Sequence, residues 1–192
     1  MVTLNRIYTR TGDGGETRLA TGETTPKDDP RVEAYGDVDE TNACLGLVRL
    51  HTADDPALDA ILARIQNELF DLGADLATPE RAGRTLEWTA LRIVASQVAR
   101  LEADIDALNG PLSDLTSFVL PAGTAAATHL HLARTVCRRA ERKLVALSRV
   151  EGEIVSADAL RYLNRLSDFL FVASRHANRA AGDVLWVPGG SR

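Results

Sequence analysis

The chain has 192 residues, of which 45% are hydrophobic and 26% charged, and its formal net charge is −5. This length and composition are typical of one globular domain, here residues 1–192, with a substantial core. The acidic balance argues against a general nucleic-acid-binding protein. No apolar run approaches the roughly 18 residues of a membrane span, and no signal-peptide pattern opens the chain. The two cysteines form no C-x-x-C pair, so a reducing compartment, the cytoplasm, is expected.

The first thirty residues lie outside any apolar pattern and contain a loop rich in glycine, threonine and arginine. Residues 9–19 hold three glycines, three threonines and two arginines. Glycine lets backbone N–H groups approach an anion closely, threonine hydroxyls add donors, and arginine adds charge. Lys27 supplies a further cation just beyond the loop. The pattern predicts a phosphate-binding loop, and a disordered glycine-rich arm is the alternative that the loop alone leaves open.

Apolar residues at helical spacing run through most of the remaining chain. Residues 32–51 are compatible with a helix, although Gly36 and Gly46 weaken that prediction. Four later segments each carry an apolar stripe with steps of three and four residues, which places the stripe on one helix face. The stripes comprise Leu58, Leu62, Ile65, Leu69, Leu72 and Leu76; Leu91, Val94, Val98, Leu101, Ile105 and Leu108; Leu130, Ala133, Cys137, Ala140, Leu144 and Leu147; and Ala159, Leu163, Leu166, Leu170, Ala173, Ala177 and Ala180.

These stripes predict an all-α bundle of four or five long antiparallel helices over about residues 31–182. A short tail follows at 183–192. No alternation of apolar and polar residues predicts a sheet.

The predicted fourth helix carries a run of basic residues on one face. Arg134, Arg138, Glu141 and Arg142 lie at offsets of four, seven and eight, so they share a face beside the apolar stripe. The forked guanidinium of arginine binds phosphate or carboxylate in a bidentate way. The pattern fits an anion site, and a solvated face with ion pairs to Glu141 is the alternative.

The predicted fifth helix has a polar stripe of its own, which is also compatible with plain surface. Its members are Asn164, Asp168, Phe171 and Arg175. The first helix is rich in acids that could pair with the arginines across a helix or subunit contact. These acids are Glu33, Asp37, Asp39 and Glu40.

The linker before the fourth helix contains an apolar run, from Phe118 to Leu120, at a loop position. This run either folds down as a plug of the core or lines a pocket for a large apolar ligand, and the residues alone favour the plug. No histidine occurs in a Glu-x-x-His arrangement, which argues against a di-iron centre, so no metal ligand is assigned. Cys44 and Cys137 are expected to be buried structural thiols.

Together these segments resemble the PduO-type ATP:cob(I)alamin adenosyltransferases over almost the whole chain. The resemblance rests on separate blocks in the family's order and spacing, which makes it highly specific. The blocks are Ile7–Gly15, Pro26–Asp29, Glu33–Glu40, Phe118–Pro121, Arg134–Arg142 and Tyr162–Asp168.

The resemblance implies a ferritin-like five-helix bundle that assembles as a homotrimer. ATP would lie between neighbouring subunits, and the N-terminal loop would become ordered when it binds. The implied reaction transfers the 5′-deoxyadenosyl group of ATP to cob(I)alamin and releases triphosphate, with Mg²⁺ as a cofactor. The product would pass to an adenosylcobalamin-dependent enzyme, and neither nucleic acid nor a membrane is an expected partner.

The resemblance also implies roles for particular residues. Arg138 would act in catalysis as a triphosphate contact, and Phe118 as the aromatic side chain under the corrin ring, with Asp168 as a second cobalamin contact. Asp39 and Arg134 match an acid–arginine pair across the subunit interface. The implied ATP contacts are Thr9, Arg10, Thr11, Gly12, Asp13, Gly14, Gly15, Thr17, Arg18, Lys27, Arg138, Glu141, Arg142 and Asn164.

The chain departs from the family pattern in its loop and at its end. The family loop usually reads Thr-Lys-Thr-Gly-Asp-Lys-Gly, whereas Arg10 and Gly14 stand at the two lysine positions here. The second change removes a cation. Longer relatives use a C-terminal tail near the corrin, and this chain ends soon after residues 186–190. An ATP-dependent cobalamin carrier, or a nucleotide-sensing bundle without transfer chemistry, is the alternative function.

Overall fold

The computed structural model describes residues 8–81, 83, 85–190 and 192. In this part of the chain five helices form the bundle that the sequence predicts, and a small two-stranded sheet precedes them. The strands are β1 (Glu16–Arg18) and β2 (Thr24–Pro26), and the helices are α1 (Pro30–Arg49), α2 (Pro56–Leu76), α3 (Ala95–Asn109), α4 (Ala125–Leu147) and α5 (Ala157–Ala177). The expectation of no sheet is wrong, because strands of three residues are too short to show an alternating pattern.

Four of the five helices, all but α3, begin at a side chain that caps free backbone N–H groups. Asp29 accepts a hydrogen bond from the Arg31 N–H at 2.8 Å before α1, and Asp55 accepts one from the Leu58 N–H at 3.1 Å before α2. Thr124 and Ser156 do the same for α4 and α5. Such caps satisfy donors that the first helical turn leaves open, so they fix where each helix starts.

The core lies between α4 and its neighbours α1 and α5, with α2 against α1 and α3 against α5. The predicted apolar stripes of α2 and α4 are buried at every position, from Leu58 to Leu76 and from Leu130 to Leu147. None of the five helices, within the described ranges, combines the length and apolar character that crossing a bilayer requires.

Two of the predicted apolar stripes extend beyond the helices that the structure contains. Leu91 and Val94 precede α3 and are about half exposed. The buried Asp75 carboxylate causes this, because it accepts from the Ile93 N–H at 2.9 Å and from Arg92 at 2.8 Å, which holds the segment in a non-helical path. Ala180 lies beyond the end of α5 and is exposed.

Buried polar contacts join helices that are distant in sequence. The Tyr162 hydroxyl of α5 donates to Glu68 of α2 at 2.8 Å, and burial, followed by the charge of Glu68, raises the pKa of Tyr162 well above its ordinary value. Arg31, only 2% exposed, donates to the Leu76 carbonyl at 2.7 Å and pairs with Glu153 in the α4–α5 loop. Arg31 therefore ties the start of α1 to the end of α2.

Replacing Arg31 by alanine should lower the free energy of unfolding by about 3 kcal/mol, the lower end of the range for a broken buried ion pair. The value is at the lower end because Arg81 still contacts Glu153 at 2.9 Å. Urea denaturation measures the change. Arg161→Ala is the matched control, since Arg161 is 67% exposed and, among the described residues, pairs only with Asp158; its effect should stay within about 0.5 kcal/mol. Equal effects of the two substitutions would contradict the role of Arg31.

Candidate functional site

The N-terminal loop folds as a hairpin against the bundle. β1 and β2 are antiparallel, with Thr17 opposite Thr25, and Gly22 adopts a positive φ of 82° in the turn. The Ala20 N–H donates to the Ala77 carbonyl at the end of α2 at 2.9 Å, and Leu19 is buried beside it. The alternative of a disordered arm is therefore wrong for the described part of the loop.

The hairpin borders an open cavity of about 620 Å³ that is lined by most of the predicted loop contacts. Gly12 lies close to Lys27 and β1, since a Cβ at Gly12 would lie 3.2 Å from both the Lys27 Nζ and the Glu16 carbonyl oxygen. The lining residues are Thr9, Thr11, Gly12, Glu16, Thr17, Arg18, Thr24 and Lys27. The remaining predicted loop residues, Arg10, Asp13, Gly14 and Gly15, lie on the exposed turn that leads into this cavity.

Tyr35 is a residue of this region that the sequence did not single out. It lies on α1 near Thr17 of β1, and burial raises the pKa of its hydroxyl above the ordinary value, which the nearby Thr17 side chain opposes. Its signal in the sequence was its place in the block Glu33–Glu40, to which no role for the tyrosine was attached. Thr25 donates to Asp29 at 3.0 Å, so β2 is attached to the cap of the same helix.

The basic face of α4 has the arrangement that its spacing predicts. Arg138 is exposed and Arg134 is partly buried, and burial, with the nearby charge of Arg138, lowers the pKa of Arg134. Arg142 donates to the Arg138 carbonyl at 3.1 Å, and Glu141 accepts from the Asn164 amide of α5 at 2.9 Å. The structure thus brings Asn164 onto the same surface as the basic face.

Most arginines elsewhere are held by carboxylates, such as Arg49 by Asp59 and Arg100 by Glu68. Within the described residues, the cations that make no ion pair are Arg10, Arg18, Lys27, Arg134, Arg138, Arg142, Arg149 and Arg192. Apart from the last two, all belong to the loop or to the basic face. Positive charge available for an anionic ligand is therefore concentrated in these two regions.

The acids of α1 pair differently from the sequence expectation. Asp37 and Glu40 pair with Arg139, and Glu33 pairs with Lys143, all within one chain. Asp39 is exposed on a groove between α1 and α2 that is lined by Tyr35, Phe70 and Gly73, among others. Arg139 and Lys143 lie on the α1-facing side of α4, which leaves the basic face without these acids.

Among the described residues, none of the basic face lines the loop cavity. No hydrogen bond or ion pair among the described residues joins the hairpin to the side chains of Arg134, Arg138 or Arg142. Asp168, the other predicted cobalamin contact, pairs with Arg165 at 2.8 Å and is exposed beside the basic face.

Phe118 is not a plug of the core. It is 76% exposed, and its ring contacts Trp186 with centroids 6.0 Å apart. The linker pairs with the C-terminal tail through an antiparallel bridge between Val119 and Leu185. The backbone of this apolar run therefore bonds to the tail and stays at the surface. The favoured sequence interpretation is wrong because it could not include this long-range pairing.

The described ranges contain no group of three or more His, Cys, Asp or Glu side chains that could hold a metal ion. Cys44 and Cys137 are buried free thiols, as predicted. Burial, followed by the charge of Glu141, raises the pKa of Cys137 above its ordinary value. Cys137 therefore packs in the core behind the basic face and is not an activated nucleophile.

The sequence and fold match one protein family. A family model described as cobalamin adenosyltransferase matches residues 7–177. The chain belongs to this family. The corrinoid adenosyltransferase of Mycobacterium leprae is 48% identical over 188 residues, covering 97% of this chain and 98% of the relative. The human corrinoid adenosyltransferase MMAB is 40% identical over 181 residues, covering 94% of this chain and 72% of the relative.

Solved structures of a cobalamin adenosyltransferase share the fold. A phenylalanine-to-alanine variant of the PduO-type ATP:corrinoid adenosyltransferase from Lactobacillus reuteri, complexed with cobalamin and ATP, has a TM-score of 0.84 at 39% identity, over 94% of this chain and 99% of its own. An arginine-to-lysine variant complexed with ATP has a TM-score of 0.85 at 40% identity, over 95% of this chain and 100% of its own. The predicted family and five-helix fold are both confirmed.

Proposed function

We propose that this protein is an ATP:corrinoid adenosyltransferase that transfers the 5′-deoxyadenosyl group of ATP to cob(I)alamin. The reduced cobalt supplies the electron pair for the new cobalt–carbon bond, the bond from C5′ to oxygen breaks, and triphosphate leaves with that bond's electrons. The observation that carries the proposal is the concentration of cations without ion pairs in the loop and on the basic face. A leaving group with several negative charges needs this environment.

The division of the cations between two regions supports an ATP site shared by two subunits. The hairpin cavity of one subunit, with Arg18 and Lys27, would hold the phosphates. The α4 face of its neighbour, with Arg138, Glu141 and Arg142, would complete the site, and Asn164 would add a nucleotide contact. Positioning ATP in this way aims C5′ at the cobalt, which is the protein's main contribution when the nucleophile belongs to the substrate.

A homotrimer is the assembly that we propose for this shared site. Arg134 Nε and both ring nitrogens of His131 are buried without hydrogen-bond partners among the described residues. Arg134 also makes no ion pair within the described chain, and because its side chain is only partly buried, an acid of another subunit can reach its guanidinium. Asp39 is the candidate, because it is exposed on the α1–α2 groove and makes no ion pair within the described chain.

Cobalamin would bind beside the exposed apolar surface of the linker. The ring of Phe118 is available to contact a flat, largely apolar macrocycle, and the exposed Asp168 of α5 would add a polar contact. An apolar ring under the cobalt excludes water and the lower axial ligand, which makes Co(II) easier to reduce to the reactive Co(I).

Mg²⁺ would enter this site together with the nucleotide. Mg²⁺ keeps several waters and binds through substrate phosphates with one or two carboxylates, rather than in a cage of protein ligands. The carboxylates at the loop, Asp13 and Glu16, fit this need, and Glu16 lines the cavity. The ion would neutralise phosphate charge there.

An absorption assay for adenosylcobalamin, formed from ATP and chemically reduced cobalamin, tests the proposal. Binding of both substrates without product would favour a carrier or a nucleotide-sensing bundle instead.

The two free thiols fit a reducing compartment, and we propose the cytoplasm as the location of the enzyme. The product would pass to an adenosylcobalamin-dependent enzyme.

Arg134→Ala should weaken the assembly, because losing one partner of an interface charge pair costs about 2–5 kcal/mol. Sedimentation velocity should show a trimer for the wild type and smaller species for the variant, with activity lost in parallel. Arg149→Ala is the control, since Arg149 makes no ion pair and lies beyond α4. A wild-type monomer with full activity would exclude the shared site.

Arg138→Ala should reduce turnover by about 100- to 1000-fold, by analogy with donors that stabilise charge developing in a transition state. Affinity for ATP should fall as well. The neighbouring residue offers a control, because Arg139 is held by Asp37 and Glu40 and points away from the basic face. Steady-state kinetics of both variants measure the difference. Unchanged turnover in Arg138→Ala would remove Arg138 from the mechanism.

Phe118→Ala should leave the melting temperature almost unchanged, because the side chain is 76% exposed. The yield of four-coordinate Co(II), formed on mixing enzyme, ATP and cob(II)alamin, should fall sharply because water can reach the cobalt. Phe169→Ala provides the contrast, since Phe169 is fully buried and should lose about 3–5 kcal/mol of stability. An unaltered cob(II)alamin absorption spectrum for Phe118→Ala would place the corrin elsewhere.

A further inference from the structure

The linker and the C-terminal tail form a short two-stranded ribbon, made of residues 118–120 and 184–186. The Trp186 N–H donates to the Phe118 carbonyl and the Leu120 N–H to the Val184 carbonyl, each at 2.8 Å. The Ser117 hydroxyl donates to the Trp186 carbonyl at 2.7 Å. The backbone of Phe118 is thus paired directly with that of Trp186.

One buried arginine holds the linker and the tail at residues that precede the two strands of the ribbon. Arg175, at the end of α5, is 7% exposed. Its Nη2 donates to the Ser113 carbonyl in the linker at 2.6 Å, and its Nε donates to Asp183 in the tail at 2.8 Å. A guanidinium has several donors in a rigid fork, so it can hold both segments at a fixed spacing, which a lysine cannot.

The far end of the linker is anchored by the same end of α5. Asn178 donates to the Ala122 carbonyl at 3.0 Å and accepts from the Thr124 N–H at 2.9 Å. Gly123 permits this contact, since its φ is +107° and a Cβ there would lie 2.3 Å from Asn178 Oδ1. The linker is therefore fixed at both ends, and Trp186 supports its middle.

We infer that Arg175 and Trp186 are positioning residues that hold the Phe118 ring in place for the corrin. An exposed aromatic side chain on an unsupported loop would sample many orientations, and each would have to be restricted when cobalamin binds. The ribbon fixes the backbone of Phe118, and the tilted indole of Trp186 limits the orientations that the Phe118 ring can adopt. The inference rests on the proposed function, because it assigns a purpose to the site of Phe118.

Trp186→Ala and Arg175→Lys test the inference. Both should lower the yield of four-coordinate Co(II), and the KM for cobalamin should rise by about three- to tenfold, as the value of one aromatic contact implies. The KM for ATP should not change, because neither residue contacts the loop or the basic face. A merely structural role would not separate the two KM values or alter the cobalt spectrum.

Controls are available just beyond α5 and among the tryptophans. Arg179→Ala removes an exposed arginine one turn beyond Arg175 that pairs with Asp55, and it should behave as wild type. Trp88→Phe leaves Trp186 as the only tryptophan, since the chain has two. In that background, binding of cob(II)alamin should quench the emission by energy transfer to the corrin. Asp183→Asn provides a second route to the Arg175 contact if Arg175→Lys fails to fold.

The outcomes separate this inference from the proposed function. If the wild type forms no adenosylcobalamin, the proposed function fails, and quenching of Trp186 by cob(II)alamin then decides on its own whether the ribbon meets a corrin. If the wild type is active but Trp186→Ala keeps the wild-type cobalt spectrum and KM values, the inference is overturned. Loss of ATP and cobalamin affinity together would also overturn it, because it would indicate a general loss of structure.

Discussion

Close packing of α4 against both α1 and α5 is the constraint on which the rest of the structure depends. The seam of α4 uses Ala133, Cys137 and Ala140, all fully buried, so the neighbouring backbones approach closely. Protein interiors are close-packed, so a helix in the core cannot rotate about its axis without opening cavities. The direction of every other side chain on α4 is therefore fixed by residues that take no part in chemistry.

This fixed rotation separates two kinds of positive charge on one helix. Arg139 and Lys143 face α1 and meet its acids, whereas Arg138 and Arg142 face away and meet none within the described chain. Ion pairs at a surface contribute little to stability, so the separation has a small energetic cost. Its value is electrostatic, because arginines that are already neutralised could not stabilise an incoming polyanion.

The parts of the fold that could be predicted from sequence are those determined by local periodicity. The stripe from Leu58 to Leu76 identifies the buried face of α2 because neighbouring positions alone decide it. The segment before α3 could not be predicted in this way, since the Asp75 carboxylate that shapes it comes from another helix. The exposure of Phe118 also depends on pairing with a tail more than sixty residues away.

The candidate site follows the same division. The loop and the basic face each come from one continuous stretch of sequence, so composition and spacing were sufficient to find them. Arg175 looked like one member of a polar surface stripe, but it is buried and donates to both the linker and the tail. Residue types identify chemistry, but the burial of a charged group depends on chain segments that meet only after folding.

Gly14 occupies a position where the structure would accept almost any residue. A Cβ added there would meet nothing within 4 Å, and its φ is not in the left-handed region. The glycine at this point of the loop is therefore not required by the backbone. The number of cations around the hairpin cavity can change by one without any adjustment of the bundle, so affinity for a polyanion and the stability of the fold are free to vary independently at this position.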